Sequence, residues 1–150
     1  MVAERDNVHR DQVAIHRTWL AWDHLGKAPL PKADVRMDLG PTKGTAIRLS
    51  PLNEELLIGE GIETTLSGMI LFGLPGWAAG SAGMLRELEL PPEVRKVLIL
   101  ADGDEAGVNG AFAAASRWKR EGRTVRTARA PWGKDFNDVL IEASKERHNG

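Results

Sequence analysis

The stretch "KVLILADGDEAG", Lys96 to Gly107, decides the fold. From Val97 to Ala101 no polar residue interrupts it. A short apolar run without alternation reads as a strand covered on both faces, the habit of parallel sheets. The run then ends in Asp102, Gly103, Asp104 and Glu105. Crowded carboxylates repel, and burying them uncompensated costs several kcal/mol. The end of this strand must therefore open to water or face a cation.

The neighbouring segments continue the pattern. "ELLIGEG" (55–61) is a short aliphatic strand. "IETTLSGMILFG" (62–73) predicts a helix with Ile62, Leu66, Met69 and Ile70 on its inner face, ended by Gly73 and Pro75. "GWAAGSAGML" (76–85) reads as a short strand and a glycine-rich turn. "EAGVNGAFAAASRWKREG" (105–122) predicts a helix with Val108, Ala111, Phe112, Ala115 and Trp118 turned inward. "RTVRTARAP" (123–131) is a basic strand. "KDFNDVLIEASKER" (134–147) is a further helix, with Asp135 or Asn137 as its cap. This βαβαβ order predicts an α/β fold, a Rossmann-like parallel sheet with helices on both faces.

Residues before Leu52 read differently. "QVAIHRTWLAW" (12–22) and "GTAIRLSP" (44–51) are strand candidates around a Gly/Pro-punctuated loop. The expected organisation is a small β-rich N-terminal arm over 1–51, an α/β domain over 52–145 and a disordered tail over 146–150.

Composition narrows the chemistry. The 150 residues are 42% hydrophobic and 27% charged, which suits one soluble domain. The lack of cysteine excludes disulfides, zinc–thiolate sites and cysteine nucleophiles, and the lack of tyrosine excludes a tyrosine nucleophile. No apolar run approaches the ~20 residues of a membrane span, and the charged first residues are unlike a signal peptide. A cytoplasmic chain without a membrane partner is expected. The histidines, His9, His16, His24 and His148, have no metal-ligand spacing.

Charge is unevenly spread. Between Pro51 and Gly110 ten acids face three bases; between Ala115 and Lys134 seven bases face one acid, Glu121. Such a division suits a protein holding a metal and a polyanion together, and equally a solvated helix and edge strand. In open parallel sheets ligands bind at the carboxyl ends of the strands. Glu60, the Asp102/Asp104 pair and Asp135 with Asp138 each follow a different strand, so their carboxylates are expected in one crevice. Hard oxygen ligands of this kind suit Mg²⁺ or Mn²⁺. Gly103 is expected to leave room there for a ligand.

The three motifs "GEGIETTLSG", "KVLILADGDEAG" and "GKDFNDVL", in this order, resemble the Toprim domain, in the version found in bacteriophage- and plasmid-type DNA primases and primase-helicases. The resemblance covers about residues 52–142. It implies a compact parallel sheet flanked by helices. It implies that Glu60, Asp102 and Asp104 are catalytic and that these three with Asp135 hold divalent metal, Mg²⁺ or Mn²⁺; Glu63 is a candidate second acid of the first motif. The implied activity is template-directed nucleotidyl transfer in RNA primer synthesis during DNA replication. Its partners would be a DNA template, nucleoside triphosphates and a replicative helicase or further primase domains. A Toprim-type nuclease and a non-catalytic nucleic-acid or replication-partner module are the alternatives. Lys134, Arg123, Arg126 and Arg129 are the expected nucleic-acid or nucleotide contacts. Trp118 is assigned to the core. Trp132 is expected to pack, with stacking on a base as the other reading.

Overall fold

The structure, a computed structural model, describes residues 1–23 and 26–148. His24 and the last two residues of the expected tail lie outside the described residues. Five strands form the central sheet in the order β4-β6-β5-β7-β8. β5 (Glu55–Gly59), β6 (Gly76–Ala78), β7 (Lys96–Ala101) and β8 (Thr124–Arg129) run parallel, and β4 (Ile47–Arg48) pairs antiparallel with β6. The connection from β5 moves outward to β6, while those that follow carry β7 and β8 to the other side. The strand order therefore reverses between β5 and β7, where a crevice opens at the carboxyl ends.

Alternate residues of the central strands face opposite layers. Leu56, Ile58, Val97 and Ile99 pack against α3 (Ala82–Glu87) and α4 (Glu105–Arg120), with Leu85, Ala111, Ala114 and Trp118. Leu57, Leu98 and Leu100 face the side of α2 (Ile62–Phe72) and α5 (Phe136–His148), with Phe136 and Val139. Most of these side chains are fully buried, so truncating one such leucine to alanine costs about 2–5 kcal/mol.

Two helix faces differ from expectation. Leu66 and Ile70 are exposed, and α2 turns Thr64, Thr65, Ser67 and Gly68 inward instead. A Cβ on Gly68 would overlap the Leu100 side chain, so α2 lies closer to the sheet than a leucine face allows. On α4, Phe112 is exposed and Ala114 is buried. Here too small residues set the contact. A Cβ on Gly110 would come within 2.8 Å of the Ala82 carbonyl oxygen.

The expected N-terminal arm divides. β4 belongs to the central sheet, whereas β1 (Val2–Asp6), β2 (Gln12–Thr18) and β3 (Arg36–Leu39) make a separate antiparallel sheet. A one-turn helix, α1 (Lys32–Val35), precedes β3. Along β2, Ala14, His16 and Thr18 are buried while Ile15 is exposed. Polar groups thus hold the arm to the body. The fully buried Arg5 donates to Thr45 Oγ1 at 3.0 Å and to the Ala79 carbonyl at 2.5 Å, and pairs with Asp38 at 3.4 Å. Burial lowers its pKa from the ordinary value, and Asp38 partly offsets this. His16 Nδ1 lies 3.0 Å from the same Asp38 carboxylate. At the other terminus α5 runs through His148, so residues 146–148 of the expected tail are helical. Among the described residues no helix is long and apolar enough to cross a membrane.

Candidate metal centre

The strand ends deliver their acids to one place. A cleft of about 370 Å³ is lined by Glu60 after β5, Asp102 and Asp104 after β7, Asp135 after β8, and the Gly80–Gly83 turn after β6. Glu63 and Thr64 from α2 and Arg36 from the arm complete its wall.

Each acid is held by local chemistry. Asp104 caps α4, its Oδ1 accepting from the Gly107 N–H at 2.7 Å. Asp102 Oδ1 accepts from Thr64 Oγ1 at 3.2 Å, which fastens β7 to α2. Asp135 and Asp138 form a reciprocal cap at the start of α5. Asp135 Oδ1 accepts from the Asp138 N–H at 2.9 Å, and Asp138 Oδ2 from the Asp135 N–H at 3.2 Å. Asp138 is thereby turned to the helix end, and Asn137 is not the cap. Glu60 Oε1 is buried and makes no hydrogen bond to a described residue.

Two glycines make the crowding possible. A Cβ on Gly107 would lie 2.7 Å from Glu60 Oε1 and 2.8 Å from the Asp102 carbonyl. A Cβ on Gly103 would overlap the Pro131 carbonyl oxygen, so the loop after β8 fills the space expected for a ligand. The Gly103 N–H donates to Lys134 O at 2.8 Å and the Gly133 N–H to Gly103 O at 2.7 Å. That backbone seam joins the Asp102–Asp104 turn to the segment leading into Asp135.

The electrostatics follow from this packing. Glu60 is pushed up to about 7, first by burial and then by Asp102 and Asp104. Asp102 is pushed up to about 6 by burial, with Asp135 and Asp104 adding to the rise and Thr64 and Arg36 opposing it. The cleft thus holds more negative charge than its own cations neutralise. The donors are hard oxygens, the wall is open, and one buried carboxylate oxygen lacks a partner, so the residues fit a hard divalent ion. Among the described residues, no three acidic or histidine side chains gather tightly enough to form a ready cage. An ion here would keep waters or take oxygens from a substrate, as Mg²⁺ commonly does.

The expected basic contacts separate. Arg123 braces the segment before β7, donating to Val94 O at 3.0 Å and Leu90 O at 2.8 Å and pairing with Glu121. Arg126 pairs with Glu55 at 2.8 Å. Lys134 pairs with Glu142 at 2.6 Å. None of the three lines the cleft. Arg129 ends β8 at the carboxyl edge, with its guanidinium 5.4 Å from the Trp132 ring centroid. Arg36 and Lys27 were not legible as site residues. They pair with Glu63 at 3.0 and 2.8 Å, and only the folding of the arm across α2 brings them there. Glu63 is accordingly engaged with cations of the chain itself.

Comparison with known proteins agrees with this architecture. Residues 55–146 match the family model described as Toprim domain. No curated protein sequence matches the chain. Among solved structures, the primase fragment of the bacteriophage T7 primase-helicase protein superposes with a TM-score of 0.67 at 17% identity, over 98% of this chain and 59% of that one. The Aquifex aeolicus primase, comprising zinc-binding and RNA polymerase domains, gives 0.64 at 18% identity, over 99% of this chain and 38% of that one. The RNA polymerase domain of Mycobacterium tuberculosis primase DnaG, in complex with double-stranded DNA, gives 0.55 at 16% identity, over 98% and 51%. The chain therefore spans less than two thirds of each of these proteins. With a family match across more than half its length and the acids of that match gathered in one cleft, the chain belongs to the Toprim domain family.

Proposed function

We propose that the chain is the metal-binding catalytic module of a primase-type nucleotidyltransferase, extending a primer on a DNA template from nucleoside triphosphates in a cytoplasmic replication apparatus. The observation that carries this reading is the meeting of Glu60, Asp102, Asp104 and Asp135, from three parallel strand ends, in one open cleft. The likeness to three primase structures, one holding DNA, supports it. Because the chain spans 38–59% of those proteins, further primase domains or a helicase would complete the activity.

Asp102, Asp104 and Asp135 would hold Mg²⁺ or Mn²⁺, with Glu60 beside them. Bound divalent ions would neutralise the charge developing on the attacking 3′-hydroxyl and the leaving pyrophosphate. Glu60, whose carboxyl burial and the neighbouring aspartates raise to about 7 in the metal-free chain, would serve there as the group that accepts or returns a proton. Arg36 at the cleft wall, which shares its charge with Glu63, would offer the triphosphate one positive group beside the acids.

Titration calorimetry with Mg²⁺ and Mn²⁺ on the wild type and on Asp102→Ala/Asp104→Ala tests the site. Binding by the wild type and at least tenfold weaker binding by the variant are expected. No binding by either would overturn the metal reading. Nucleotide incorporation on a single-stranded template, with and without added primase domains, then tests the activity. Phosphodiester cleavage without incorporation would replace it with a nuclease.

A further inference from the structure

Trp132 does not pack: its surface is 69% exposed. This exposure is not a loose loop's accident. The loop is fixed by backbone bonds from the Ala130 N–H to Ala101 O, Gly133 N–H to Gly103 O, Lys134 N–H to Pro131 O and Gly103 N–H to Lys134 O. Its neighbour Pro131 lies against Gly103, between the two aspartates of the cleft. A rigid loop at the rim of an acidic site thus holds an indole in solvent.

Arg129 lies against that indole, its guanidinium 5.4 Å from the ring centroid. The other basic groups named for β8 and its flanks, Arg123, Arg126 and Lys134, each pair with an acid. Arg129 is exposed, and among the described residues it forms no ion pair. An aromatic face beside an uncommitted cation matches a nucleobase and the phosphate attached through its sugar. We propose that Trp132 and Arg129 form a one-nucleotide platform, Trp132 stacking on the base and Arg129 contacting its phosphate. This rests on the nucleotidyl-transfer reading and adds to it the residues that seat a base at the rim. The base belongs either to a polynucleotide strand or to a free nucleotide.

Binding is measured by fluorescence anisotropy for labelled oligo-dT 12-mer and for an abasic strand of equal length, both with Mg²⁺, and by calorimetry for thymidine triphosphate. The proteins are the wild type, Trp132→Leu, Trp132→Phe and Arg129→Gln, with urea midpoints confirming that each folds. For a strand base, Trp132→Leu binds oligo-dT about tenfold more weakly, leaves the abasic strand unchanged, and Trp132→Phe recovers most of the loss. Arg129→Gln weakens both strands and lowers the salt slope by about one. For a free nucleotide, the Trp132→Leu loss appears with the triphosphate instead. If Trp132→Leu binds all three probes as the wild type does, or loses oligo-dT and the abasic strand equally, the platform is overturned while the parent reading stands. If the wild type binds none of them, both fall.

Discussion

At the scale of single residues, the cleft shows how far a sequence reports its own chemistry. Glu60, Asp102, Asp104 and Asp135 were legible because each follows a strand, and parallel topology sends all carboxyl ends to one edge. Arg36 and Lys27 were not, because nothing near them in sequence marks where the arm will land. Gly103 was misread for a related reason: the residue that fills its side, Pro131, is remote in sequence. The raised carboxyls carry a prediction about pH. At low pH Glu60 is protonated in both folded and unfolded chains, and its burial adds no pH-dependent cost. As pH rises from its ordinary 4.5 toward 7, the unfolded form ionises first, so metal-free stability falls and stays low above 7. After allowance for solvent screening the loss is on the order of 2 kcal/mol. Urea midpoints in chelator at pH 5 and pH 8 should show it, and Glu60→Gln should be the more stable protein at pH 8. A flat wild-type profile, or a less stable variant at pH 8, contradicts this.

Elements were read with mixed success, and β8 shows why. Its basic alternation was visible, but arginines at the two ends of a parallel strand serve opposite edges of the sheet. Arg123 and Arg129 lie six steps apart, roughly 20 Å at about 3.3 Å per residue, so they cannot share a ligand a nucleotide in size. Arg123 is a brace: Arg123→Ala should cost about 2 kcal/mol by losing its charged bonds to Leu90 and Val94. It should leave strand affinity within twofold of wild type. Urea unfolding beside an anisotropy titration checks both, and a large affinity loss with unchanged stability would return Arg123 to the binding surface. On α2 the periodicity favoured the aliphatic face, yet Gly68 and Thr65 face the sheet because close approach outweighs side-chain size there.

At the scale of the molecule, the Toprim body and the β-rich arm were legible, but the division of the arm's strands between two sheets was not. β1 and β3 are short and charged, and the arm turns Arg5, His16 and Asp38 inward while Val2, Ile15, Met37 and Leu39 are exposed, the reverse of the usual pattern. Arg5 is the joint. Arg5→Lys cannot reproduce the forked bonds to Thr45, Ala79 and Asp38, so it should destabilise the protein by about 3 kcal/mol. Hydrogen exchange should quicken first in β1 to β3; uniform protection across both sheets would show that the arm does not depend on this joint. The cleft also bears on the chain as a whole electrolyte. Its formal net charge is -1. One divalent ion seated among the acids, as proposed, would make that +1, reversing the sign of the molecule as a polyanion would sense it. Cation and polynucleotide would then recruit one another, and by thermodynamic reciprocity whatever factor the ion added to strand affinity, the strand would return to the ion.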